Sequence, residues 1–227
     1  MAEAIIRTEN LTKTFVLGTE KVTALNDVSI SVEKGQICAV LGTSGSGKST
    51  LLNMLAGLER PTCGSVYIGR HRIDKMTERE LTLFRQKFTG FVFQSYNLIP
   101  SLTALENVAM PLMFKGVGKQ EREARALEML RLVGLENRKN HRPFEMSGGQ
   151  QQRVGIARAF VSNPRVIFAD EPTGNLDSET TKNVMQLVCG LVHENNSTMI
   201  LVTHDNGVAE FADKIITIID GKISNEN

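Results

Sequence analysis

Ile37-Cys38-Ala39-Val40-Leu41-Gly42-Thr43-Ser44-Gly45-Ser46-Gly47-Lys48-Ser49-Thr50 begins as an apolar run and passes through a loop too rich in glycine to be strand or helix. The first five residues are apolar without interruption, which suits a short strand covered on both faces. Gly42 to Ser49 then fits the spacing G-x-x-x-x-G-K-[ST]. From Ser49 to Ala56 the apolar residues recur at helical spacing and stop at Gly57, a residue suited to the left-handed position that ends helices. Strand, glycine loop and helix in this order form a phosphate cradle. The glycines let successive backbone N–H groups converge on phosphate oxygens, and the helix N-terminus adds partial positive charge. In such a cradle Lys48 neutralises the outer phosphates and Ser49 sets its hydroxyl on a Mg²⁺ ion.

A phosphate loop needs a carboxylate for its metal. The apolar run Val166-Ile167-Phe168-Ala169 delivers Asp170 at the end where parallel sheets hold ligands. Glu171 follows and is free to polarise a water aimed at the terminal phosphate, a general-base role worth roughly 10²- to 10⁴-fold in rate. Met146-Ser147-Gly148-Gly149-Gln150 opens a helix running through Val154, Ala157 and Phe160, and so presents a second helix N-terminus to an anion. Taken alone, Ser147 also reads as an ordinary N-cap.

The remaining pattern is α/β. Ile5–Phe15 and Val28–Val32 alternate as half-exposed strands, the second closed by Glu33-Lys34-Gly35, and predict an antiparallel start. Thr77-x-x-Glu80 and Thr103-x-x-Glu106 match the capping box, and Glu121 to Val133 predicts a helix with Ala124, Leu127, Leu130 and Val133 on one face. Helices dominate from Thr77 to Phe144. Strands then alternate with helices: Val166–Ala169, a helix through Val184, Leu187, Val188 and Leu191, and Met199–Val202. Ile215–Ile219 with Asp220-Gly221 predicts a closing hairpin. The reading is a parallel-sheet core with an N-terminal antiparallel β subdomain and an inserted α-helical subdomain. Residues 1–93 and 161–227 form the core and 94–160 the helical part of one domain.

At 227 residues and a net charge of +1, the chain suits one such domain and has no bulk attraction for nucleic acid or an anionic membrane. The basic clusters Arg70-His71-Arg72 and 138–142 read as solvated faces. Cys38, Cys63 and Cys189 are too scattered for a zinc site or a disulfide framework, and read as reduced thiols of a cytosolic protein. No leader pattern opens the sequence, and no run of about 18 to 20 apolar residues is long enough to span a membrane. Membrane work is therefore expected only through a partner.

With all these motifs in order, nearly the whole chain resembles the nucleotide-binding subunit of an ATP-binding cassette (ABC) transporter. The resemblance implies ATP and Mg²⁺ as cofactors. It places Gly42, Thr43, Ser44, Gly45, Ser46, Gly47, Lys48, Ser49 and Thr50 around the phosphates, with Asp170 and Gln94 on the metal and Glu171 as base. Phe15 stands where an aromatic stacks on adenine, although a core residue at a strand end is an equal reading of it. His204 takes the place of a histidine that contacts the terminal phosphate, and Asp177 belongs to the loop after the base. Like Gln94, which follows Phe91-Val92-Phe93, His204 comes directly after a strand. Ser147, Gly148, Gly149 and Gln150 would complete the site of a second copy, so two chains pair around two ATP molecules. The pattern departs from the family at Met146, usually leucine, and at Phe15, more often tyrosine.

Within the family, residues 93–100, 105–108 and 170–177 are most similar to the lipoprotein-release and macrolide-export group, which includes antimicrobial-peptide exporters. That implies hydrolysis coupled to a separate permease, on the cytoplasmic face of the membrane, with Tyr96, Leu98 and Ile99 on the surface that meets it. A cell-division ATPase that signals through a membrane partner without transport is the alternative. A soluble machine acting on DNA or ribosomes ranks last, for want of a long coiled-coil insert or a second cassette.

Overall fold

The computed structural model describes residues 4–226. Its central sheet is built on β4 (Ile37–Leu41), whose first four residues are all buried, as a strand covered on both faces requires. Beside it lie β7 (Thr89–Phe93), β8 (Val166–Asp170), β9 (Thr198–Thr203), β10 (Lys214–Ile219) and β11 (Lys222–Glu226), in the order β11-β10-β4-β9-β8-β7. All neighbours are parallel except the β10–β11 hairpin. The period of two divides each strand between two cores. Ala39, Ile167 and Leu201 face one, and Val40, Phe168 and Ile200 face the other.

The first core is closed by α3 (Ala104–Phe114), α4 (Lys119–Leu132), α5 (Gly148–Phe160) and α6 (Ser178–Glu194). The second is closed by α1 (Lys48–Leu55), α2 (Glu78–Phe88) and an antiparallel sheet. That sheet runs β2-β1-β5-β6, from β2 (Glu20–Val28), β1 (Ala4–Leu17), β5 (Cys63–Ile68) and β6 (His71–Arg72), with β3 (Ser31–Glu33) on the other half of β1. A one-turn helix, α7 (Asn206–Ala209), follows β9. The helix starts at Thr77 and Thr103 are closed by reciprocal capping boxes with Glu80 and Glu106.

Two local expectations change. Val28–Val32 is not one strand: β2 ends at Val28 and β3 begins at Ser31, with Asp27 in the left-handed region at φ 58°. β2 and β5 had no sequence signal. Only Leu25 and Val28 of β2 are buried, because the ribbon stands away from the core and imposes no alternation. In α4 the buried residues are Ala126 and Leu130, followed by Val133, while Ala124 is exposed. Two residues are about 200° around a helix, so Ala126 and Ala124 face opposite ways. Within the stretch from Thr77, Leu81 and Phe84 of α2 pack into the second core, and the strand expected at Phe91-Val92-Phe93 is β7, between α2 and α3.

Candidate functional site

Every strand of the parallel set points its C-terminal end the same way, and the pairings align Phe93 with Asp170, Asp170 with Val202, and Thr203 with Leu41. The loops after those ends therefore meet along one edge. Gly42–Thr50 is the first of them. Gly45 and Gly47 have φ of 82° and 104°, and a Cβ on Gly47 would run into the Ala24 carbonyl. Only glycine fits there. Lys48, just 6% exposed, turns its Nζ back to the Thr43 carbonyl at 2.8 Å. A buried ammonium with one carbonyl partner retains donors for an anion. Ser46 Oγ lies in the same loop, buried and without a partner. The loop thus has the donors a phosphate would use.

Ser49 Oγ and Asp170 Oδ1 sit 3.4 Å apart across the loop. Burial pushes the Asp170 carboxyl above its ordinary range, the Ser49 hydroxyl pulls it back, and the adjacent Glu171 pushes it up again. A carboxylate held against its own preference for water gains from a cation. Among the described residues no three His, Cys, Asp or Glu side chains cluster as a self-sufficient metal cage. One carboxylate and one hydroxyl beside a phosphate cradle fit Mg²⁺, which keeps waters and takes phosphate oxygens as ligands.

Glu171 is in the left-handed region at φ 45°, a conformation that costs a non-glycine residue about 1–3 kcal/mol and persists only where its surroundings enforce it. Its N–H donates to the Val202 carbonyl at 2.9 Å, and the Gly174 N–H donates to the Glu171 carbonyl at 3.1 Å. The β8–β9 pairing brings His204 alongside, with Nδ1 at 2.8 Å from Oε1 and 2.7 Å from Oε2 of Glu171. A carboxylate only accepts, so Nδ1 donates to it, and Nε2 is left facing outward. Gln94 reaches the same edge, but its carboxamide rests against Gly174 and its backbone carbonyl accepts from Asn175 Nδ2 at 3.0 Å.

Ser147 caps α5: the Gln150 N–H donates to its hydroxyl, and its own N–H donates to the Gln150 side chain. The side chains nearest Gly148 and Gly149 are Tyr96, Leu176 and Thr180, none of them from the phosphate loop of the same chain. Asp177 caps α6 through the Thr180 N–H at 2.9 Å, which holds its carboxyl below the usual range. Phe15 is half-buried on β1 with Lys13 Nζ 4.9 Å from its ring centre, so it is not a closed core residue.

The loop expected to meet a partner is only partly exposed. Tyr96 turns its hydroxyl toward Gly148, Leu98 packs on the first core, and only Ile99 is exposed. Tyr96 and Asn97 are both left-handed, at φ 59° and 47°, and the guanidinium of Arg158 holds their carbonyls, which turns this loop inward. The apolar groove lies beside it, a cavity of about 370 Å³ lined by Leu58, Arg85, Phe91, Phe93, Met110 and Phe114 among others. Sequence reasoning also missed Asn107, which bonds Ile99, Leu102 and Thr103 from a fully buried position, and Gln152 and Arg158 on α5. Nothing in a run such as Gln150-Gln151-Gln152-Arg153 distinguishes the buried glutamine from its half-buried neighbours.

Comparison with known proteins agrees with this geometry. The ABC transporter family model matches residues 25–174. The ABC transporter ATP-binding protein MJ0796 of Methanocaldococcus jannaschii is 48% identical over 98% of this chain and 96% of its own. A structure of that cassette, dimeric in a post-hydrolysis state with ADP and Pi, superposes with a TM-score of 0.91, covering 98% of this chain and 97% of the other at 46% identity. The lipoprotein-releasing system ATP-binding protein LolD of Chromohalobacter salexigens is 44% identical over 99% of this chain and 94% of its own. The macrolide export ATP-binding/permease protein MacB of Vibrio parahaemolyticus is 44% identical over 98% of this chain, which spans 34% of that protein.

Proposed function

The chain belongs to the ABC transporter family, and on that footing we propose that it is the ATP-binding, ATP-hydrolysing subunit that powers a separate membrane permease of the lipoprotein-release or macrolide-export type. The observation that carries the reading is Glu171, held in a strained conformation between Asp170 and His204 at the edge where the phosphate loop opens. Backbone N–H groups of residues 42–50 bind the phosphates, and Lys48 neutralises the outer ones. Ser49, Asp170 and Gln94 would hold Mg²⁺, which when bound would neutralise phosphate charge. Phe15 offers its ring to adenine. Glu171 takes a proton from water as that water attacks the terminal phosphorus, releasing ADP and phosphate. His204 steadies the carboxylate through Nδ1 and meets the terminal phosphate through Nε2.

No side chain of this chain's own phosphate loop lies against Gly148 or Gly149, which supports their use by a second copy around a shared ATP, with Asp177 near the same interface. MJ0796, whose cassette is dimeric, is the precedent. The reading of a separate permease draws on MacB, whose name joins ATP-binding and permease functions, and on LolD, named as the ATP-binding protein of a releasing system. No described helix is long and apolar enough to cross a membrane. The groove along Phe91, Phe93 and Phe114 gives an amphipathic permease helix an apolar seat on the cytoplasmic face, with Tyr96, Leu98 and Ile99 in the loop whose Asn97 lines it. Co-purification with a tagged membrane permease, followed by phosphate-release assays with and without it, tests the whole reading. A chain that releases no phosphate from Mg-ATP in either setting sinks it.

A further inference from the structure

We propose that Gln152 is a positioning residue for ATP hydrolysis: its carboxamide holds the turn that carries Glu171 and ties that turn to the helix beginning at Ser147–Gln150. The proposal rests on the reading of Glu171 as the base. Gln152 lies in the second turn of α5 with a relative exposure of 0%, and its Nε2 donates to the carbonyl of Pro172, the residue after Glu171. Its Oε1 is also buried and has no partner. A buried amide satisfied at one end only is costly, and methionine would fill the same volume without that cost. Stability alone is therefore no account of a glutamine here; what the amide adds is the position of Pro172.

Glu171 stays left-handed only while its turn is pinned. Of the restraints described, the bond to the Val202 carbonyl comes from β9 and the bond to Gly174 stays within the turn. Gln152 is the restraint that comes from α5. The same helix, through Arg158, grips the carbonyls of Tyr96 and Asn97, two and three residues after Gln94. One rigid helix thus holds the base on one side and the metal-side loop on the other, while its first turn is the part that a partner's nucleotide would engage. Displacement of α5 reaches Glu171 without leaving the chain.

Gln152→Met and Gln152→Glu test this, since both keep the volume and both remove the neutral amide donor. The readouts are kcat and KM for ATP, the thermal midpoint, and amide hydrogen exchange of residues 170–177 in the nucleotide-free chain. The expected result is kcat lower by about 10- to 100-fold, the scale of a small misplacement of a catalytic group, with KM within about twofold. Exchange at Glu171 and Gly174 is expected to be faster in both, with the midpoint nearly unchanged in Gln152→Met and lower in Gln152→Glu, which buries a carboxyl group. Native exchange overturns the proposal, and so does native turnover. Loss of folded protein in both variants, or a joint collapse of midpoint, KM and kcat, assigns Gln152 to the fold and overturns it as well. A native chain that hydrolyses no ATP overturns the reading of Glu171 instead, and the exchange result then decides the tether on its own.

Discussion

Replacing Glu171 with glutamine separates chemistry from binding at this site. The exchange preserves the side chain's volume and leaves the φ of 45° in place, so it neither opens a cavity nor relieves backbone strain. The contact it alters is with a His204 side chain that is 63% exposed, and contacts so open to solvent contribute less than about 1 kcal/mol. The thermal midpoint is therefore expected within a few degrees of native. The base itself is worth about 10²- to 10⁴-fold, which is about 3–5.5 kcal/mol of barrier at 1.36 kcal/mol per decade. Binding moves the other way: losing the charge beside Asp170 removes one of the influences that raise that carboxyl's pKa, so the metal-binding group ionises more readily. The variant should bind Mg-ATP at least as tightly as the native chain and accumulate as an ATP-bound dimer that does not turn over. Phosphate release and size-exclusion chromatography with ATP read both effects. Turnover within about tenfold of native, or a monomer in saturating ATP, would refute the reasoning.

Lys48→Met removes a buried ammonium whose partner in the chain is a carbonyl, so nucleotide affinity should fall about 10- to 100-fold while the nucleotide-free fold is no less stable; calorimetric titration and melting check the two halves. Gly47→Ala forces a Cβ onto the Ala24 carbonyl at φ 104° and should cost about 1–3 kcal/mol or more, seen as a lower midpoint together with lost ATP binding. Asp170→Asn should raise the midpoint of the nucleotide-free chain at neutral pH but not at strongly acidic pH. The sign follows from the raised carboxyl pKa: the stability associated with the protonated form is complete below the unfolded value and is lost as pH rises through the folded one. A midpoint that falls at neutral pH would contradict the cause assigned to that shift.

What could be read in advance was whatever lies contiguous in the chain. Ile37–Thr50 contains its strand, loop and helix start in fourteen consecutive residues, so local rules suffice, and Thr77, Thr103 and Ser147 announce helix starts that the structure caps as written. Asp170 and Glu171 were legible because an apolar run points at them. β2 and β5 were not, since strands that bury only part of one face carry little periodicity. Ala124 was misplaced because alanine is as apolar on a solvated face as in a core. Gln152, Arg158 and Asn107 are polar residues buried by contacts with segments 20, 61 and 8 residues away, and no local pattern records such partners. Nor does any local pattern around Tyr96, Leu98 and Ile99 record that a guanidinium from α5 holds the carbonyls of Tyr96 and Asn97.

The pairings Phe93↔Asp170, Asp170↔Val202 and Thr203↔Leu41 make the working edge a ruled line across the sheet. Removing a single residue from inside β8 or β9 would draw Glu171 or His204 back by about 3.3 Å and exchange every side chain of that strand between the two cores. The architecture should therefore accept many changes of residue type in these strands and almost no change in their length. A deletion scan through 166–170 and 198–203 should read as a cliff, where a substitution scan over the same positions reads as a slope.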